Sequence, residues 1–175
     1  ANDVVVWDIG GGSMQITTRR KDHFFSYLGK LASVSFKNKI LAHKGKQRGS
    51  PNPLGKYTRL WAEKLAMDEA KNVDREVVQD LKKKELIGIG GVHYFSIRNQ
   101  LSLEPNSPAS IYQLERAIDK RQFWSDSKLF GEYKETEVTN LILVKSFLKA
   151  LNVETVLPVK VNLATGLLFD ESSWD

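Results

Sequence analysis

The stretch "VVVWDIGGGSMQITT", residues 4 to 18, limits the fold more than any other part of the chain. An apolar, β-branched run ends on Asp8, three glycines and Ser13 follow, and an alternating run begins at Met14. Met14, Ile16 and Thr18 fall on one face and Gln15 and Thr17 on the other, the period of a strand with one side buried. Strand, glycine turn and strand make a hairpin. A dinucleotide fingerprint needs its glycines to open a helix, and a Walker-type loop needs a Gly-Lys-Ser/Thr ending, so neither applies. Glycines in such a turn accept positive φ and put no side chain in the way. Their N–H groups can converge as a nest for a phosphate oxygen. Ser13 adds a hydroxyl donor, and Asp8 carries the carboxylate that Mg²⁺ takes, directly or through water. A glycine-rich hairpin capped by an aspartate fits the same residues.

The rest of the chain extends the pattern. "HFFSYLG" reads as a third strand, which makes an antiparallel meander, and "KLASVSFKNKIL" as a strand leading into a short helix. Residues 43–55, "HKGKQRGSPNPLG", form a loop that is either a mobile solvated segment or a basic flap that meets a polyanion. Helices follow. Tyr57, Leu60, Trp61 and Leu65 share one helical face, and Val73, Val77 and Leu81 another. "SIYQLERAIDKR" opens with Ser110 and carries Gln113 three residues on, a capping-box spacing. Leu141, Val144, Leu148 and Leu151 form an apolar helical stripe. "VETVLPV" reads as a strand and "NLATGLLFD" as a short final helix. Trp61, Phe123, Trp124 and Phe130 read as core, and Lys82, Lys83 and Lys84 as a solvated helix end. The order of elements gives one α/β domain over residues 1–175, with a mixed sheet of about five strands flanked by helices.

Composition excludes several chemistries. The chain has no cysteine, so disulfides, thiolate zinc sites and a cysteine nucleophile are out, and a reducing cytoplasm suits it. His23, His43 and His93 have no metal-ligand spacing. No apolar run is long enough for a membrane span, and no leader peptide is expected. A formal net charge of +5 suits an anionic partner.

A second cluster, "GIGG" at residues 88–91, follows a strand and precedes a helix, whose N-terminal N–H groups suit an anion. Two glycine clusters of this kind suggest two clamps on one phosphorylated ligand. At this point the chain resembles a known family. "VVVWDIGGGSMQIT" looks like the second phosphate loop of the actin-like ATPase superfamily. With "GIGGVHYFSI" and "LATGLLFD" in order, the chain is most similar to the exopolyphosphatase / guanosine pentaphosphate phosphatase (Ppx/GppA) family.

That resemblance implies a ribonuclease-H-like domain, the second half of a two-half catalytic module whose first half brings its own phosphate loop and a catalytic glutamate. It implies phosphate binding by Gly10, Gly11, Gly12, Ser13, Gly88, Gly90 and Gly91, with Mg²⁺ as cofactor on Asp8. It implies polyphosphate or a guanosine polyphosphate as substrate and the first half as partner, with a homodimer left open. No nucleic acid and no membrane are expected as partners. No catalytic residue is expected in this half, because Gln15 stands where the family has glutamate. Apyrase-type nucleotide phosphatases of the superfamily carry glutamine there and are the rival, as is a non-catalytic phosphate sensor. Ile89, Val92 and Ala164-Thr165-Gly166 also depart from the family pattern.

Overall fold

The computed structural model describes residues 4–129 and 131–161. The meander is β1 (Val4–Ile9), β2 (Met14–Arg20) and β3 (His23–Gly29), and it is followed by α1 (Ser33–His43), α2 (Gly55–Ala70) and α3 (Arg75–Leu81). Next come β4 (Glu85–Ile89), a π-helical turn over Val92–Ile97, α4 (Arg98–Leu101) and the short β5 (Ala109–Ser110). The chain then runs through α5 (Ile111–Arg121) and α6 (Lys134–Ala150) into β6 (Thr155–Pro158). The sheet order is β3-β2-β1-β4-β6-β5. β1, β2 and β3 pair antiparallel, β4 and β6 run parallel to β1 and to each other, and β5 is antiparallel to β6. The sheet therefore has six strands, the expected five and a two-residue addition that runs straight into the capping box of α5.

Alternation along β2 separates its two faces as expected, and β1, read as a uniformly apolar buried strand, alternates as well. Val5, Trp7 and Ile9 of β1 are buried with Met14 and Ile16 of β2. Helix α6 is the central helix, buried at every position from Val138 to Leu148 rather than along one stripe. It packs on α1, α2 and α5. The capping box is present: Gln113 N–H donates to Ser110 Oγ at 3.2 Å, and Ser110 N–H donates to Gln113 Oε1 at 2.9 Å.

Several expectations are corrected. Residues 33–43 are helical from Ser33, with no strand before them, because Ala32 N–H is tied to Ser35 Oγ at 2.8 Å and the meander has already ended. In α2 the inward face is Arg59, Ala62, Ala66 and Ala70, while Tyr57 and Leu60 are exposed. Small residues let α2 approach α6 closely, and Arg59 enters a charge cluster. It donates to Glu63 at 2.7 Å and also meets Glu115 and Asp119, while Lys145 of α6 reaches Glu63 and Glu115 at 2.7 Å each. That pattern of inward charge hides the face from a reading based on apolar period.

The 43–55 loop is anchored over its second half. Lys44 Nζ donates to the carbonyls of Pro51 and Pro53 at 2.6 Å each. Ser50 Oγ and Asn52 Nδ2 donate to Asp126 at 2.7 and 2.9 Å. Phe123 is exposed rather than core, whereas Trp61 and Trp124 pack against the core. Lys84 is not solvated: its Nζ donates to Asp80 at 2.8 Å and to the Arg19 carbonyl at 2.8 Å. The expected final helix, with Ala164-Thr165-Gly166, and Phe130 lie outside the described residues.

Candidate functional site

Parallel strands β1 and β4 are neighbours, with Asp8 opposite Ile89, so the two glycine turns leave the sheet at the same edge. Ligands of open α/β sheets bind outside the carboxyl ends of such strands. The first turn is held by its own carbonyls. Gly10 N–H donates to Ser13 O at 2.9 Å, closing the hairpin. Ser33, Val34 and Ser35, the first N–H groups of α1, donate to Gly10 O and Gly11 O at 2.7 to 3.1 Å. The start of α1 is thus used to orient the turn. The N–H groups of Gly11, Gly12 and Ser13, all exposed, donate to no backbone carbonyl among the described residues.

The glycines differ in what requires them. Gly10, Gly11, Gly12 and Gly91 do not have positive φ, against the expectation for the first turn. A Cβ at Gly11 would meet only Val34 Cγ2 at 3.5 Å, and at Gly12 or Gly91 nothing within 4 Å. The fold itself does not demand glycine at those three positions. Gly90 is the opposite case: φ is +81°, and a Cβ would fall 2.4 Å from Asp8 Oδ1. A side chain there is excluded both by conformation and by the carboxylate. Gly88 lies within β4, buried, where a Cβ would fall 2.5 Å from the His93 ring and 2.9 Å from Val156 Cγ2. It gives room to His93, which is fully buried and edge-on to Trp7 at 4.9 Å between ring centroids.

Gly10, Gly11 and Gly91 line one cavity of about 740 Å³. Asp8 and Gly90 sit against each other and are not part of its lining, Gly12 and Ser13 are at the exposed hairpin tip, and Gly88 stays in the sheet. Burial raises the Asp8 carboxyl above its ordinary value, opposed by a hydrogen bond from the Ile9 backbone. Among the described residues, no three carboxylate or imidazole groups gather as a metal cage. A single carboxylate such as that of Asp8 could hold Mg²⁺ only together with substrate phosphates and water.

The sequence reading missed the cavity floor. Ser33 Oγ donates to Asn140 Oδ1 at 2.8 Å, and Ser96 Oγ accepts from Asn140 Nδ2 at 3.2 Å and from Gln100 Nε2 at 3.1 Å. These hydrogen bonds join α1, α6, the π-turn and α4 under the ligand space. It also missed Glu132, Glu135 and Glu137 on the cavity wall. Lys37 pairs with Glu135 at 3.1 Å. Burial pushes the Glu137 carboxyl up to about 7, against the lowering effects of Arg121 and Ser96. Acidic residues in the first turn of a helix are ordinary partners of its dipole, which is why these did not stand out in the sequence.

Sheet order, the antiparallel meander and two glycine turns at one edge define a domain of the ribonuclease-H-like, actin-like ATPase fold. Solved structures share it. A crystal structure of the Aquifex aeolicus Ppx/GppA phosphatase matches with a TM-score of 0.75 at 11% identity, over 95% of this chain and 56% of that one. Another crystal structure of an Aquifex aeolicus member of the Ppx/GppA family matches at 0.76 and 12%, over 97% and 56%. An exopolyphosphatase from Cytophaga hutchinsonii matches at 0.66 and 13%, over 96% and 56%. At such identities the likeness is one of fold. The chain spans little more than half the length of these proteins. No protein-family model and no curated protein matches the sequence.

Proposed function

We infer that the chain is the phosphate-binding half of a Mg²⁺-dependent phosphoanhydride hydrolase acting on inorganic polyphosphate or guanosine pentaphosphate. One observation carries this reading. Glycines at positions 11, 12 and 91 are not required by the chain's own conformation or packing, and two of them line a shared cavity. Bare backbone facing open space suits a ligand that approaches closely. The fold shared with Ppx/GppA structures supports the same class of chemistry.

In this reading the N–H groups of Gly11, Gly12 and Ser13 donate to non-bridging phosphate oxygens from one side. The Gly91 turn closes on the same phosphates from the other. Fixed donors of this kind stabilise charge without reorganising during reaction. Mg²⁺, when bound, neutralises phosphate charge and polarises the bond to be broken. Asp8 would hold it, kept in place by Gly90. The water-activating base lies on the first half of the module, since Gln15 is no base. The first half also supplies cations, because the cavity wall described here is acidic.

That acidic wall, with Gln15, favours a second reading: the same site binds phosphate or nucleotide without turnover. Phosphate release from the longer protein on polyphosphate, guanosine pentaphosphate and ATP separates the two. Hydrolysis of either of the first two supports the enzyme, preference for ATP supports a nucleotide phosphatase, and tight binding without release supports the sensor. The 175-residue chain alone is expected to release no phosphate, since loss of a general base costs about 10²–10⁴ in rate. Robust Mg²⁺-dependent release by it would contradict the assignment.

A further inference from the structure

Beside the glycine-turn cavity lies a second one of about 420 Å³, and Phe95, Asn99, Gly131 and Glu137 belong to both walls. The two differ in charge. The first shows three glutamates and, among the described residues, no lysine or arginine, whereas the second shows Lys120 and Arg121. These are consecutive in the last turn of α5, and both stand over the Trp124 indole, 5.8 and 5.6 Å from its centroid. Arg121 is half-buried and, among the described residues, donates to carbonyls alone, those of Gln100 at 2.9 Å and Ala117 at 3.4 Å. The other inward arginines are matched, Arg20 by Asp80 and Arg59 by three carboxylates. Among the described residues, no carboxylate lies within ion-pair distance of Arg121 or Lys120.

Glu137 acts on the Arg121 guanidinium only from beyond ion-pair distance, so its burial is incompletely offset, and an arriving anion relieves that cost. A basic last turn is also what the helix dipole favours. That alone would leave both side chains solvated, whereas Arg121 is turned inward against Gln100 and Trp124. We propose that the second cavity is a phosphate-binding subsite, in which Arg121 and Lys120 hold one phosphate group of an extended ligand. The shared wall lets the same ligand continue to the glycine turns, a part of the proposal that rests on the function inferred above. Inorganic polyphosphate and a nucleoside polyphosphate both carry the required group.

Glu137 tunes the subsite. It interacts with Ser96 of the π-turn and Arg121 of α5, its backbone carbonyl accepts from Gln100 Nε2 of α4 at 2.8 Å, and it lines the same cavity as Asn99 and Lys120, with Lys134, Glu135 and Thr136 before it on α6. Ionised, it competes with a phosphate for Arg121, and protonated it does not.

The test is calorimetric titration of the 175-residue chain, with Mg²⁺, by tripolyphosphate and by guanosine tetraphosphate. Lys120→Gln with Arg121→Gln is expected to weaken both ligands at least tenfold, and Lys149→Gln at the exposed end of α6 to leave them unchanged. Lys120→Glu, at an exposed position, gives a weakening of several fold even if the double variant does not fold. Glu137→Gln should tighten binding at pH 8 and change it little at pH 6. Tighter binding of the guanosine compound than of tripolyphosphate identifies a nucleotide, and the reverse identifies inorganic polyphosphate. The proposal is overturned if wild type binds neither ligand, or if the double variant and Lys120→Glu both bind within twofold of wild type. Gly11→Val separates the two inferences. If it abolishes binding while the α5 variants do not, the glycine site stands and the subsite falls. If only the α5 variants weaken binding, the subsite stands and the glycine-turn reading falls.

Discussion

Gly90 and Gly11 are alike in type and opposite in purpose. Gly90→Ala places a methyl group 2.4 Å from Asp8 Oδ1 at a φ of +81°, so the turn must shift. We expect a loss of at least about 1 kcal/mol in urea unfolding. Gly11→Ala meets only an ordinary contact with Val34, so stability should stay within about 0.5 kcal/mol while phosphate affinity falls. Equal destabilisation by both changes would mean that the first turn is glycine-rich for packing alone. His93 gives a prediction for pH. Full burial lowers its pKa to about 3, against an ordinary value of 6.5. Between these values the unfolded chain binds the proton and the folded chain does not. Stability should therefore be complete above about pH 6.5 and fall as the pH drops toward 3, by up to about 1.4 kcal/mol per unit. In His93→Phe that slope should shrink, as read from urea midpoints at pH 4 and 7, and an unchanged slope would contradict the buried neutral imidazole.

At the scale of elements, a small ionic cluster ties the meander to the first helical layer. Asp80 of α3 accepts from Thr18 Oγ1 at 2.6 Å, Arg20 Nε at 2.8 Å and Lys84 Nζ at 2.8 Å. Burial alone would raise its pKa, but the bonds from Arg20, Lys84 and Thr18 overcome this and hold the carboxyl well below the usual range. Asp80→Asn leaves Lys84 without its counter-charge, so a loss of about 3–5 kcal/mol is expected in chemical denaturation. A loss under about 1 kcal/mol would show that the cluster is dispensable. The sequence could reveal the hydrophobic alternation of β2 and the Ser110–Gln113 capping box, because each is set by local spacing. It could not reveal Asp80 or the inward face of α2. Thr18 and Asp80 are 62 positions apart, and Arg59 meets Asp119 from 60 positions away. Such partners are brought together only by the tertiary fold, and a lysine run such as 82–84 gives no local sign of which member turns inward.

For the whole molecule, the central feature is the convergence of two distant glycine turns at one sheet edge. That convergence was legible from the two motifs, because a strand before each turn and parallel pairing of those strands suffice to produce it. The cavity wall was not, because Glu132, Glu135 and Glu137 reach it from the start of α6, far along the chain from both glycine turns, and Ser33, Ser96 and Asn140 meet only in the folded chain. The most direct test of the account follows backbone amides by NMR while tripolyphosphate and Mg²⁺ are added to the 175-residue chain. Saturable shifts are predicted at Gly11, Gly12 and Ser13 together with Gly91, with Gly88 in the sheet little affected. If the two turns stay unperturbed at concentrations that saturate binding elsewhere, or if no binding occurs, the glycine turns are not a phosphate site and the account is wrong.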